Sequence, residues 1–186
     1  MGESELPRQR LNTGYELTAA DHLPIVETRT WRDESDTAAF AAALAGAMAA
    51  QPALADVFIS LHGDLGAGKT TFVRHLLRAL GVSGRIKSPT YAVVEPHAGK
   101  LGQDALAISH FDFYRFSDPR EVDDAGFRDI FAAPGLKLAE WPENAADRIP
   151  IADLAIKMEA MNSDIRTVRL HAQTASGHRL LEAVTA

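Results

Sequence analysis

The run Gly63-Asp64-Leu65-Gly66-Ala67-Gly68-Lys69-Thr70-Thr71 fits the spacing G-x-x-x-x-G-K-[ST] from Gly63 to Thr70. Its glycines let the backbone curl until successive N–H groups point inward at phosphate oxygens. Lys69 carries a positive charge toward the β- and γ-phosphates, and the Thr70 hydroxyl is offered to Mg²⁺. The flanking residues suit the motif. Val57-Phe58-Ile59-Ser60-Leu61 is a short β-rich run ending at the first glycine. Beyond Lys69, Phe72, Val73, Leu76, Leu77 and Leu80 recur at helical spacing, with Gly81 as a C-cap. Strand, glycine loop and helix in that order set phosphates on a helix N-terminus. A flexible glycine turn is the alternative, and this context disfavours it.

At 186 residues the chain suits one domain with a sizeable core, burying about 70% of its unfolded surface. Residues 1–23 mix proline, glycine and charge without a period and read as a loosely packed extension, leaving 24–186 as the domain. No apolar run approaches the roughly 20 residues that span a bilayer. The first residues are acidic and lack a signal-peptide core, and there is no cysteine for a disulfide framework or thiolate metal site. A cytoplasmic protein with no membrane contact is the expectation. The net charge of −6 argues against gripping nucleic acid over the whole surface. Arg74, His75, Arg78, Arg85 and Lys87 still make a local basic cluster, read first as solvated charge.

Taken in order, Ile25 to Trp31 alternates like a strand, and Ser35 or Asp36 caps an Ala-rich helix with Phe40, Leu44 and Met48 on one face. After the loop and its helix, Lys87-Ser88-Pro89-Thr90-Tyr91 enters an apolar strand, Ala92-Val93-Val94. Its polar groups are placed like a nucleotide switch, although a plain Ser-Pro turn reads almost as well. Residues 96–102 read as a turn-rich connection. Ala105 to Arg115 then sets Asp112 at the end of an apolar strand, and Leu136 to Trp141 does the same for Glu140. Acids so placed can orient water or hold Mg²⁺ beside the phosphates. His110 is read as packing within the core in preference to holding the switch by a hydrogen bond. Between the two strands a helix is expected from Asp118 to about Phe131. Leu154 to Glu159 and Ile165 to Leu170 form an antiparallel hairpin around Asn162-Ser163-Asp164, and 178–184 is a final helix or strand. The expected fold is a P-loop NTPase-like α/β domain with a mostly parallel central sheet flanked by helices and an antiparallel C-terminal hairpin.

Four pieces in order, GDLGAGKTT from Gly63, SPTY from Ser88, HFDFYR from His110 and EWPE from Glu140, resemble the TsaE (YjeE) ATPases of bacterial tRNA threonylcarbamoyladenosine synthesis. The resemblance spans roughly Val57 to Glu143. It implies ATP with Mg²⁺ and slow hydrolysis supporting a threonylcarbamoyl transferase complex that contains TsaD and TsaB, with tRNA reached through that complex. It also implies residue roles. Gly66, Ala67, Gly68, Lys69, Thr70 and Thr71 would bind phosphates, Thr70 and Glu140 would ligate Mg²⁺, and Thr90 would belong to the switch. Asp112 looks like the acid required for hydrolysis. Trp141 matches a family tryptophan near the nucleotide, and adenine contacts would come from near Arg32 and Thr37. The N-terminal extension is longer than the family pattern.

Three other activities use a similar loop. A small-molecule kinase needs an acceptor pocket and commonly an arginine-bearing lid, and no stretch announces either. A GTPase reads guanine with Asn-Lys-x-Asp, which is absent. A nucleotide-gated binding subunit with incidental hydrolysis remains the reading from a different class.

Overall fold

A computed structural model of the chain describes residues 25–118, 120–124 and 126–185. The expected extension 1–23 lies outside them. Seven strands form one sheet: β1 (Ile25–Trp31), β2 (Phe58–His62), β3 (Val94–Leu101), β4 (Asp104–Asp112), β5 (Leu136–Glu140), β6 (Leu154–Ala160) and β7 (Arg166–Ala172). Their order across the sheet is β1-β7-β6-β2-β5-β4-β3. The central strands β6, β2, β5 and β4 run parallel. β7 and β1 extend one side antiparallel, and β3 folds back on β4 at the other.

The sheet is therefore mixed rather than mostly parallel, with three parallel and three antiparallel pairings. Two local features produce the difference. Val94–Leu101, expected to be largely a connection, is an edge strand paired residue for residue with β4. Pro96 is tolerated there because an edge strand has one side free of ladder bonds. At the far edge, β1 pairs along its whole length with the outer strand of the C-terminal hairpin.

One face of the sheet carries α1 (Glu34–Ala50), α2 (Lys69–Ala79) and α5 (Ala175–Thr185). Phe40, Leu44 and Met48 of α1 meet Phe72, Leu76 and Leu77 of α2 over Ile59, Leu61 and Leu138, in one continuous core. The cap of α1 is Asp33, whose carboxylate accepts from the Ser35 and Asp36 backbone N–H groups at 2.8 and 3.2 Å, rather than Ser35 or Asp36. Its extended backbone places the side-chain oxygen over the first turn, two or three residues earlier than the expected caps.

The other face is covered only in part. Phe58, Phe111 and Phe113 pack under Val122, Phe127 and Ala145. The rings of Phe111 and Phe131 stack at 4.7 Å. The single helix expected over 118–131 is two short ones, α3 (Arg120–Asp124) and α4 (Arg128–Ala132), with Gly126 at φ +70° between them. Beyond β2, toward β6, β7 and β1, the described residues place no helix on this face.

Candidate functional site

The chemistry gathers where β2, β4 and β5 end. In an open sheet, strands that run the same way bring their C-terminal ends to one crevice. β2 ends at His62 and hands over to Gly63, and β4 and β5 are in register so that Asp112 and Glu140 are direct neighbours. The intervening loop needs backbone that only glycine adopts easily: Gly63, Gly66 and Gly68 have φ of +135°, +82° and +110°. At Gly63 a Cβ would also run into the Met158 carbonyl oxygen of β6. Gly68 is the N-cap of α2, so the first backbone N–H groups of that helix face the cleft.

Gly66, Gly68, Lys69, Thr70, Thr71, Thr90, Asp112, Glu140 and Trp141 line a single cleft of about 440 Å³. Lys69 is buried. Its ammonium donates to the Gly63 and Asp64 carbonyls, the latter at 3.0 Å, and lies 3.8 Å from the centre of the Trp141 ring. Desolvation lowers its pKa, against the opposing pull of Glu140, Glu143, Asp112 and Asp64. Trp141, partly buried at the edge of the cleft, holds a left-handed backbone, φ +56°, a conformation that the surrounding structure has to impose on a bulky residue.

The Thr70 hydroxyl lies 2.8 and 3.0 Å from the two carboxylate oxygens of Glu140. One of those oxygens also meets His110 Nε2 at 3.0 Å, and His110 and Glu140 are both buried. This pair suits Mg²⁺, a hard cation that takes oxygen ligands and keeps most of its waters, better than a cation needing a full protein cage.

The segment after α2 closes the other side of the cleft. Ser88 and Thr90 both donate to Asp112 Oδ2, Thr90 at 2.7 Å, and Asp112 Oδ1 accepts from the Tyr114 backbone N–H at 2.9 Å. The Asp112 N–H in turn donates to the Val93 carbonyl at 2.9 Å. Val93 is β-branched yet sits at φ +66°, a strained position in the same segment.

The remaining expected residues fall elsewhere. Ala67 and Thr37 line a smaller cavity of about 210 Å³ behind the loop, with Trp31, Met158 and Arg166. Arg32 is turned away into an ion pair with Asp36 at 3.0 Å and lines a separate surface hollow. Gly63 shapes the loop through its backbone and lines neither cavity. Sequence reasoning did not assign a site role to Ser88, although it lies within the SPTY string, nor to His110, read as structural. Arg166 had no sequence signal at all: it reaches from β7 to the Ala67 carbonyl at 3.0 Å, 99 residues away.

Fold and cleft define a protein of the P-loop nucleotide-binding class. Residues 31–168 match the family model described as threonylcarbamoyl adenosine biosynthesis protein TsaE. The tRNA threonylcarbamoyladenosine biosynthesis protein TsaE of Haemophilus influenzae is 40% identical over 129 residues, 68% of this chain and 77% of its own length. The Bacillus subtilis protein of the same name is 32% identical over 121 residues, 65% and 71% of the two chains. The crystal structure of YdiB from Bacillus subtilis shares the fold, with a TM-score of 0.68 at 23% identity over 88% of this chain and 97% of that one. The chain belongs to the TsaE family and is a P-loop ATPase. No helix among the described residues is long and apolar enough to cross a membrane.

Proposed function

We propose that the protein is an ATP-driven switch supporting threonylcarbamoyladenosine modification of tRNA. The observation that carries this reading is the tie between Ser88, Thr90 and Asp112: the segment that would sense the nucleotide is held by the acid that would serve its hydrolysis. Gly66 to Thr71 would cradle the phosphates, and Lys69 would leave its two backbone carbonyls for phosphate oxygens. Thr70 and Glu140 would hold Mg²⁺, which when bound neutralises charge on the β- and γ-phosphates. Asp112 would orient the attacking water, and in doing so exchange its bonds to Ser88 and Thr90. Released from Asp112, the stretch through Val93, strained at φ +66°, would be free to relax. Thr37 lies near the loop's rear cavity, in keeping with an adenine contact there, and Arg32 would reach it only after leaving Asp36.

In this reading the nucleotide-bound form of the segment engages the TsaD and TsaB pair, hydrolysis resets it, and tRNA is met through that complex. Phosphate release from Mg-ATP by the purified protein, alone and with TsaD and TsaB, with and without substrate tRNA, tests it. Stimulation by the partners that disappears in Lys69→Ala is the expected result. An unchanged rate with no binding to either partner overturns the switch.

A further inference from the structure

A groove of about 670 Å³, larger than the nucleotide cleft, lies on the half of the second sheet face that no helix among the described residues covers. It runs between the step formed by residues 142–152 and the bare strands β6, β7 and β1. One wall is apolar, with Ile149, Pro150, Ile151 and Ala152. The floor across β6 and β7 carries Lys157 and Arg169 as direct cross-strand neighbours, with His171 next along β7, while Glu143, 3.3 Å from His62, and Asp147 line the step opposite. Like charges so paired repel each other unless an anion lies against them, and Glu159 at 2.8 Å from Lys157 answers only part of that charge. Val26 of β1 closes the far side. Ile151 and Val26 are 74% and 59% exposed, both at the groove.

We propose that this groove is the docking site of the chain's own residues 1–24. The observation behind it is where the described chain starts. Ile25 opens β1, and its neighbour Val26 lines the groove, so the preceding segment is tethered one residue from it. A segment tethered at that point faces the groove at an effective concentration no free peptide matches. Its composition complements the surface. Glu3, Glu5, Glu16 and Asp21 outnumber Arg8 and Arg10, and Leu6, Leu11, Tyr15, Leu17 and Leu23 supply apolar side chains. The acids suit Lys157, Arg169 and His171, and the apolar residues suit the wall at Ile149 and Ile151. The match to the family model begins at residue 31, after this segment.

The test uses the full chain, which has no cysteine of its own. A groove pair, Leu11→Cys with Ile151→Cys, is compared with a control pair, Leu11→Cys with Arg179→Cys. Arg179 is exposed on α5, on the helix-covered face. The 14 or so residues from Leu11 to Ile25 extend to about 45 Å, enough to reach either face. Docking gives a disulfide within the monomer at least about tenfold faster for the groove pair, and Lys157→Glu with Arg169→Glu removes that preference. Equal rates for the two pairs, disulfides formed only between two chains, or a preference that survives the charge reversal each overturn it. Melting curves of the reduced variants, all altered at exposed positions or ahead of β1, confirm that the fold is retained.

Discussion

The three central strands β2, β5 and β4 and the flanking hairpin of β6 and β7 belong to one sheet, yet they contribute to the site in different ways. The cleft is lined by Lys69 and Thr70 after β2, Asp112 closing β4 and Glu140 closing β5, joined by Ser88 and Thr90 from the segment after α2. The hairpin supplies support. Met158 of β6 lies against Gly63 and Gly68, and Arg166 of β7 holds the Ala67 carbonyl. Strand direction accounts for only part of the difference. β6 runs parallel to β2 and brings Met158 to the same edge, while antiparallel β7 delivers its first residue, Arg166, there. What sets β2, β4 and β5 apart is that they end at the glycine loop, at Asp112 and at Glu140.

Substitutions on the two sides sharpen that contrast. The largest effect is expected from Lys69→Ala, which removes the loop's cation and lowers ATP turnover by at least about a hundredfold, with nucleotide binding weakened as well. Titration with a fluorescent ATP analogue beside a phosphate-release assay reads both. Asp112→Asn keeps the shape of its cleft but not the charge. It should lower kcat by about a hundredfold while the affinity for ATP stays within about threefold, and a parallel loss of both would place Asp112 in binding instead.

On the hairpin side the expected effects fall on stability first. At Gly177, in the first turn of α5, a Cβ would collide with the Asp153 carbonyl just before β6. Asp153 is itself a junction, exchanging bonds with the Phe58 backbone at 2.8 Å each way. Gly177→Ala should cost about 1–3 kcal/mol and lower Tm by roughly 3–10 °C, with kcat of the folded protein unchanged. The smallest effect belongs to Arg166→Ala. Losing one charge-assisted bond to the loop should weaken ATP binding by about three- to tenfold at constant kcat. A fall in kcat there would show that β7 contributes to the hydrolysis step and would erase the contrast between the two sides.

The identity of the phosphate loop was legible because its chemistry is local. Glycines at positive φ, a lysine and a hydroxyl within nine consecutive residues dictate a backbone shape and a charge whatever lies around them. Asp112 and Glu140 were legible for a related reason, since each closes an apolar run that can only be a buried strand. The edge strand β3 was not. Pro96 and Gly99 weaken its alternation, and what makes it a strand is the partner β4 rather than its own residues. The α1 cap was missed by two or three residues because several acids in a row offer equivalent caps, and only the backbone at Asp33 chooses among them.

By itself, then, the order of residues determined the loop, the two strand-end acids, the hairpin and the family, all of them matters of neighbours along the chain. Tertiary structure decided the strand order and its mixed directions, the pairing of Glu140 with both Thr70 and His110, the reach of Arg166 to Ala67, and the groove on the uncovered face. Those contacts join residues 30 to 99 positions apart. Such contacts depend on how the sheet is assembled, which no short window of sequence encodes.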